Sequence, residues 1–268
     1  GFRAGTSLSF PFYDLENEEQ TELIIHPFCV MESTFRFYKE VYSEKAKEEM
    51  VGYIKALKEI NGNFCFLWHS DSLSESGDWI GWKWLFEEII KEACNAHNLN
   101  AIALRYFNPI GAHKSAKIGE LPIGVPQNLV PFITQTAIGL REKLSVFGDD
   151  YPTHDGTCIR DYIHVVDLAK AHVVALQRLL DSKNNTNYET FNIGTGKGSS
   201  VLDVVKSFEK VSGQKLNYKI TDRRAGDVVE AYANTEKANT ILGWKAESSL
   251  DDALISAWKW EQSIRKNS

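Results

Sequence analysis

Residues 105–174 read RYFNPIGAHKSAKIGELPIGVPQNLVPFITQTAIGLREKLSVFGDDYPTHDGTCIRDYIHVVDLAKAHVV, and this stretch decides the fold. The apolar run 101–104 passes into Tyr106-Phe107-Asn108-Pro109 and then into a loop punctuated by glycine and proline. A strand therefore ends there. A second loop, 148–160, crowds Asp, Thr, Cys and Arg just ahead of the long apolar-periodic segment 165–180. Loops after strand ends are where open α/β sheets bind small molecules.

Outward from this stretch, strand and helix signals alternate. Strands are expected at 101–107, 189–193 and 216–220, and helices at 129–140, 165–180, 201–211, 235–242 and 250–264. Ser200 with Asp203, and Ser249 with Asp252, have the spacing at which a side-chain oxygen and a backbone N–H satisfy each other at a helix start. The alternation predicts an α/β fold with a parallel or mixed sheet. The N-terminal third offers a strand at Leu23-Ile24-Ile25 and a helix at 43–60 capped by Ser43. A buried strand at 64–68 running into His69 and a helix at 84–96 follow.

The chain has 268 residues, enough for one large or two ordinary domains, and a net charge of −6. An acidic chain without a basic cluster argues against nucleic acid as a partner. No apolar run approaches the roughly 20 residues of a membrane span, and no signal peptide opens the sequence. Cys29, Cys65, Cys94 and Cys158 are dispersed, which suits reduced thiols in a cytoplasmic protein better than a metal site or a disulfide framework. The chain begins with Gly1 rather than Met, so a truncated or processed N-terminus is expected.

Several polar residues fall in the loops. Arg160 offers a planar fork of donors suited to phosphate, with Asp161 beside it as an orienting partner; the residues alone favour instead an Arg–Asp pair that pins the loop. Asn108 ends a strand and Asn128 enters a helix; either can serve a turn or a cap. Arg224 and Asp227 form a charged turn. Gly194-Thr195-Gly196-Lys197-Gly198-Ser199 imitates a dinucleotide fingerprint, but its spacing is GxGxG and no acidic residue lies about 20 positions on, so it is rejected as a cofactor turn.

From about residue 88 to 265 the sequence resembles the UDP-glucose 4-epimerases of the extended short-chain dehydrogenase/reductase family, carried by Arg160-Asp161-Tyr162-Ile163-His164, Val146-Phe147-Gly148 and Arg224-Ala225-Gly226-Asp227. The resemblance implies a partial Rossmann-type sheet plus a substrate-binding domain. It implies that Asn108 meets the sugar nucleotide, Asn128 and Arg160 the diphosphate, and Leu129 the same site. Val146 and Phe147 would frame the uracil, and Arg224 and Asp227 would hold the nucleoside and diphosphate. Ala231 would face the sugar's 2-substituent and leave room for an acetamido group. Phe107 would line the nicotinamide side of NAD, the cofactor of full-length relatives, which interconvert UDP-glucose and UDP-galactose as homodimers.

Two features of that family are missing. None of the ten tyrosines has lysine four positions later, and no strand–GxGxxG–helix unit occurs. Neither the proton-transfer pair nor the cofactor turn is therefore supplied, and this chain alone is not expected to bind NAD or to epimerise. Residues 1–85 instead resemble the C-terminal part of a polysaccharide deacetylase-like (NodB-type) protein. The carriers are Gly1-Phe2-Arg3-Ala4-Gly5-Thr6, Pro11-Phe12-Tyr13-Asp14-Leu15, His26-Pro27-Phe28-Cys29-Val30-Met31 and Leu67-Trp68-His69. That resemblance implies a fragment of a (β/α) barrel in which His69 is a relic of the general acid, with no metal bound. The expected division is 1–87 and 88–268, joined between Trp82 and Lys91. Three readings follow: the substrate-binding half of an epimerase, a non-catalytic nucleotide-sugar-binding remnant or chimera, and a carbohydrate deacetylase fragment.

Overall fold

The computed structural model describes residues 8–14, 17–25, 28–60, 64–69, 71–73, 77–97, 100–122, 124–224 and 226–266. The chain divides into two compact units, Gly1–Ala101 and Ile102–Ser268. In the first unit, β1 (Phe10–Asp14) and β2 (Glu19–Ile25) form an antiparallel hairpin, and β3 (Val30–Met31) runs parallel to β4 (Phe66–Leu67). Helix α1 (Ser43–Glu59) turns Ala46, Met50 and Leu57 toward Trp82, Leu85 and Ile89 of α2 (Trp82–His97), the i, i+4 spacing that builds an apolar stripe. Phe66 meets Trp68 and Phe86 edge-on, and Trp68 lies tilted against Phe86.

Two expectations fail in this unit. Ser43 is not the cap of α1. Tyr42 takes the extended N-cap backbone, and Ser43 sits buried in the first turn with its hydroxyl donating to Glu44. The 64–68 strand shortens to Phe66–Leu67 and is not buried, because its aromatic side chains pack beside the helices rather than between layers. Gly1 to Thr6, Leu15, His26 and Pro27, on which much of the deacetylase resemblance rests, lie outside the described residues.

The second unit alternates strand and helix as the sequence predicts. Its elements are β5 (Ala101–Tyr106), β6 (Asn108–Ile110), α3 (Leu129–Ala137), β7 (Leu144–Phe147), β8 (Ile159–Arg160), β9 (Tyr162–His164) and α4 (Val165–Leu180). After them come β10 (Tyr188–Ile193), β11 (Ser199–Ser200), α5 (Val201–Ser212), β12 (Tyr218–Thr221), β13 (Glu230–Ala231) and α6 (Leu250–Lys266). Pairs β6–β9, β7–β12 and β8–β13 are parallel, β8–β11 is antiparallel, and β5 pairs with β10. Strand alternation sends Tyr162 to a core of Ile133, Phe208, Leu254 and Trp258. Ile163 goes to a second core with Phe191, Ile193 and Trp244.

Both expected capping boxes form. Ser200 Oγ accepts from Asp203 N at 2.9 Å and Asp203 Oδ2 from Ser200 N at 3.0 Å, and Ser249 and Asp252 repeat the exchange at the start of α6. Helix α3 is shorter than expected, since Gly139 turns to φ +86° and the chain leaves the helix there. The segment expected as a helix at 235–242 is a π-helical turn, Ala238–Leu242, whose wide winding places Leu242 in the second core. The four cysteines form no disulfide. No helix among the described residues is long and apolar enough to cross a membrane.

His164 joins several of these elements. Its Nδ1 accepts from Val166 N at 3.0 Å, capping α4, and its Nε2 lies 3.3 Å from Ser256 Oγ on α6. Burial depresses its pKa, and the nearby carboxylates of Asp167 and Asp252 offset this only in part. The folded state therefore favours neutral imidazole. Its contribution to stability is intact above the unfolded pKa of about 6.5 and is lost as pH falls below it. The difference in Tm between wild type and His164→Asn should be smaller at about pH 5.5 than at about pH 7.5 in differential scanning calorimetry.

Candidate functional site

The second unit encloses a cavity of about 610 Å³. Asn108 reaches it from β6, Asn128 and Leu129 from the amino end of α3, Phe147 from β7, Arg160 from β8, and Arg224 and Asp227 from the turn before β13. Seven residues singled out in the sequence thus meet in one concave surface of ordinary ligand-pocket size. Cys158 and Tyr162 also line it. Tyr162 went unnoticed in the sequence, although it stands two residues from Arg160 on a shared extended segment and so faces the same side.

Electrostatics concentrate on one wall. Asp227 lies between two guanidinium groups, with Oδ1 3.6 Å from Arg160 NH2 and Oδ2 3.6 Å from Arg224 Nε. Those distances are ion pairs rather than hydrogen bonds. Arg160 NH1 donates to Ile159 O at 2.8 Å and Val228 O at 2.9 Å, which fixes the fork, and Arg224 lies 4.9 Å from the centre of the Phe147 ring. Two cations face one anion, leaving a net positive wall. Asn128 occupies the N-cap of α3 without capping it; its side chain donates to Glu120 at 2.7 Å instead. The first N–H groups of that helix are therefore not capped by Asn128, a setting that favours negative charge.

Asp161 does not orient Arg160. Successive residues of an extended chain point to opposite sides, so Arg160 faces the cavity while Asp161 is driven inward with no solvent exposure. Its carboxylate accepts from Thr195 N (2.9 Å), Thr195 Oγ1 (2.6 Å), Gly196 N (3.0 Å) and Ala233 N (3.1 Å). The glycine turn that imitates a dinucleotide fingerprint thus holds an internal carboxylate. A Cβ at Gly194 would come within 2.4 Å of Asp161 Oδ2, so no other residue fits there.

Other expected residues lie apart from the cavity. Val146 is buried in the first core by the same pleat that presents Phe147, and Gly148 N is taken by Thr221 O at 2.8 Å. Phe107 is half-buried between β5 and β6, with its N–H donated to Ile193 O at 3.2 Å. Ala231 sits in register with Arg160, its carbonyl accepting from Asp161 N at 3.1 Å. His69 belongs to the first unit, where its backbone N–H and Nδ1 both meet the buried Glu32 Oε1.

One cluster that the sequence did not suggest is His154 with Asp155 and Asp203. His154 Nε2 lies 3.1 Å from Asp203 Oδ2 and 3.6 Å from Asp155 Oδ2. Burial raises both carboxyl pKa values, but hydrogen bonds from Ser200, Thr157 and His154 outweigh it and the net shift is downward. These oxygens serve the cap of α5 and the neighbouring turn.

With this geometry in place, comparison with known proteins is decisive. The sequence profile described as GDP-mannose 4,6 dehydratase matches residues 83–256. The chain belongs to the GDP-mannose 4,6 dehydratase family. Within this family it is similar to the UDP-glucose 4-epimerase of Drosophila melanogaster, 52% identical over 180 residues, covering 67% of this chain and 51% of that protein. The Bacillus subtilis (strain 168) UDP-glucose 4-epimerase is 50% identical over 182 residues, covering 68% and 53%. The chain therefore spans about half the length of these relatives. The Bifidobacterium longum UDP-glucose 4-epimerase, solved with NAD+ and UDP, superposes with TM-score 0.71 at 34% identity, covering 85% of this chain and 72% of that one. The Stenotrophomonas maltophila enzyme, with bound NAD and formylated UDP-arabinopyranose, gives 0.67 at 45% identity over 72% and 57%. The fold of this family member is thus that of an extended short-chain dehydrogenase/reductase, and the family profile reaches back through α2 into the first unit.

Asp161→Asn puts an amide among donors that need an acceptor. It should destabilise the protein by about 3 kcal/mol or more, measured as a lower urea midpoint with an unchanged slope.

Proposed function

We propose that the second unit is the nucleotide-sugar-binding half of a UDP-glucose 4-epimerase-type protein, and that its cavity takes the uridine diphosphate of a UDP-sugar. The observation that carries this reading is the wall of Arg160 and Arg224 around Asp227 in the same cavity as the amino end of α3. Guanidinium forks and a helix amino end both favour phosphate. Phe147, with Arg224 on its ring, supplies an aromatic surface for a base. The similarity to epimerases, one solved with UDP, adds support from outside the cavity.

The residues of this chain do not fit a dinucleotide cofactor. The glycine turn at 194–198 spends its N–H groups on Asp161, and Phe107 is the one residue that the resemblance assigns to the nicotinamide. With no Tyr-x-x-x-Lys pair in the sequence either, no hydride or proton step is assigned, and binding without epimerisation is the activity proposed for this chain. The relatives described above, all epimerases, lend no support to the deacetylase reading of residues 1–85. The sequence holds no His-x-x-x-His segment, and no hydrolytic role is assigned.

Isothermal titration calorimetry should show UDP binding that Arg160→Ala weakens by at least about tenfold, the loss expected of one charge-assisted contact. Equal affinity in the two proteins would remove Arg160 from the site. Ala231 does not itself line the cavity, but it shares its strand register with Arg160, and registered residues project to the same side. UDP-N-acetylgalactosamine should therefore compete as well as UDP-galactose for the wild type, and Ala231→Tyr should lose only the acetylated sugar.

A further inference from the structure

Asn128 stands at the N-cap of α3 and does not act as a cap. Asparagine is among the best residues for that position, its Oδ1 accepting from the N–H two or three places on. Here the third place is Pro131, which has no N–H, so Val130 is the donor within its reach. The Asn128 backbone is extended, at φ −87° and ψ 147°, as that of a capping residue is, yet no side-chain cap forms. Its Nδ2 donates instead to Glu120 Oε1 at 2.7 Å.

Glu120 is exposed, but the chain that carries it is fixed. Trp260 Nε1 on α6 donates to Glu120 O at 2.9 Å, and a Cβ on the neighbouring Gly119 would overlap the Trp260 ring. Further back, Ser263 Oγ donates to Ala116 O at 2.8 Å, and His113 N to Ile118 O at 3.0 Å. The glutamate thus reaches Asn128 from a seat on α6. Asn128, Leu129 and Val130 all line the cavity, whereas Glu120 does not. A carboxylate near a site for anions repels the ligand, so it is the acceptor of Glu120 and not its charge that suits this place.

We infer that Glu120 is a positioning residue of the nucleotide site: by holding the Asn128 amide, it keeps that side chain off Val130 and leaves the amino end of α3 open to a phosphate oxygen. The inference rests on the UDP-sugar reading above. Two acceptors compete for the helix start, the chain's own Asn128 Oδ1 and the phosphate of the ligand. The internal one is always at hand, at the high effective concentration of a tethered group. Once released from Glu120, it would cap α3, and apparent affinity would fall with the fraction of molecules whose helix start is free.

The test is Glu120→Ala, with UDP affinity by calorimetry, uridine affinity by ligand-observed NMR, and the Tm of the unliganded protein. The expected result is UDP binding weakened about fivefold, the scale of one helix cap, with uridine binding unchanged. The unliganded Tm should stay level or rise, because Asn128 then caps α3. Glu120→Gln, which keeps an acceptor for the same amide, should recover most of the lost affinity. In an Asn128→Ala background, Glu120→Ala should have no further effect on UDP binding. UDP affinity of Glu120→Ala within about twofold of wild type would overturn the inference while leaving the nucleotide site intact. A lower unliganded Tm with an equal loss for uridine would make Glu120 a structural tether of its loop. Failure of Glu120→Gln to recover binding, or a further loss in the Asn128→Ala background, would mean that Glu120 does not act through Asn128. Each of these results overturns the assignment. Wild-type protein that binds no UDP would bring down the parent reading, and this inference with it.

Discussion

The buried carboxylate of Asp161 is the tie on which the second unit depends. Four donors from two separate segments converge on it, the turn after β10 and Ala233, two residues past β13. An isolated buried charge is prohibitive, but one surrounded by hydrogen-bond donors is a strong organiser. Because Asp161 is spent inward, Arg160 on one side of it faces the cavity, and Tyr162 on the other lines the cavity floor from within the first core. The same tie consumes the N–H groups that a glycine-rich turn would otherwise offer to an external phosphate. One residue thus positions the binding wall and closes off a false one.

The wall is partly arranged before any ligand arrives. Arg160 is braced by two carbonyls, Arg224 rests on Phe147, and Asp227 balances both. Long side chains lose rotamer freedom when they bind, and part of that loss is already incurred here in folding. Arg224 remains 58% exposed and is the more adaptable of the two, while Arg160, at 18%, acts as the fixed reference. A rigid donor beside a mobile one suits a ligand whose anionic and aromatic parts lie some distance apart.

Much of this was legible in the sequence because it is local. The bounds of α4 follow from apolar periodicity, and the starts of α5 and α6 from Ser-x-x-Asp spacing, both effects of neighbours along the chain. The cavity residues were legible through resemblance rather than through physics. What failed needed the third dimension. Adjacency suggested that Asp161 serves Arg160, yet the pleat separates them. Val146 appeared equivalent to Phe147, yet the same pleat buries one and presents the other. Ser43 has the chemistry of a cap but lies one position inside its helix.

The parallel pairings described above also set how this unit must form. Asn108 meets Tyr162, Leu144 meets Tyr218, and Ile159 meets Glu230, each pairing closing a long loop before any contact is gained. High contact order of this kind slows the search for the native state, since chain entropy is lost early and recovered late. The residues that line the cavity come from both ends of those loops. The pocket therefore cannot be assembled piecemeal, since it requires those pairings to be closed over the cores beneath it.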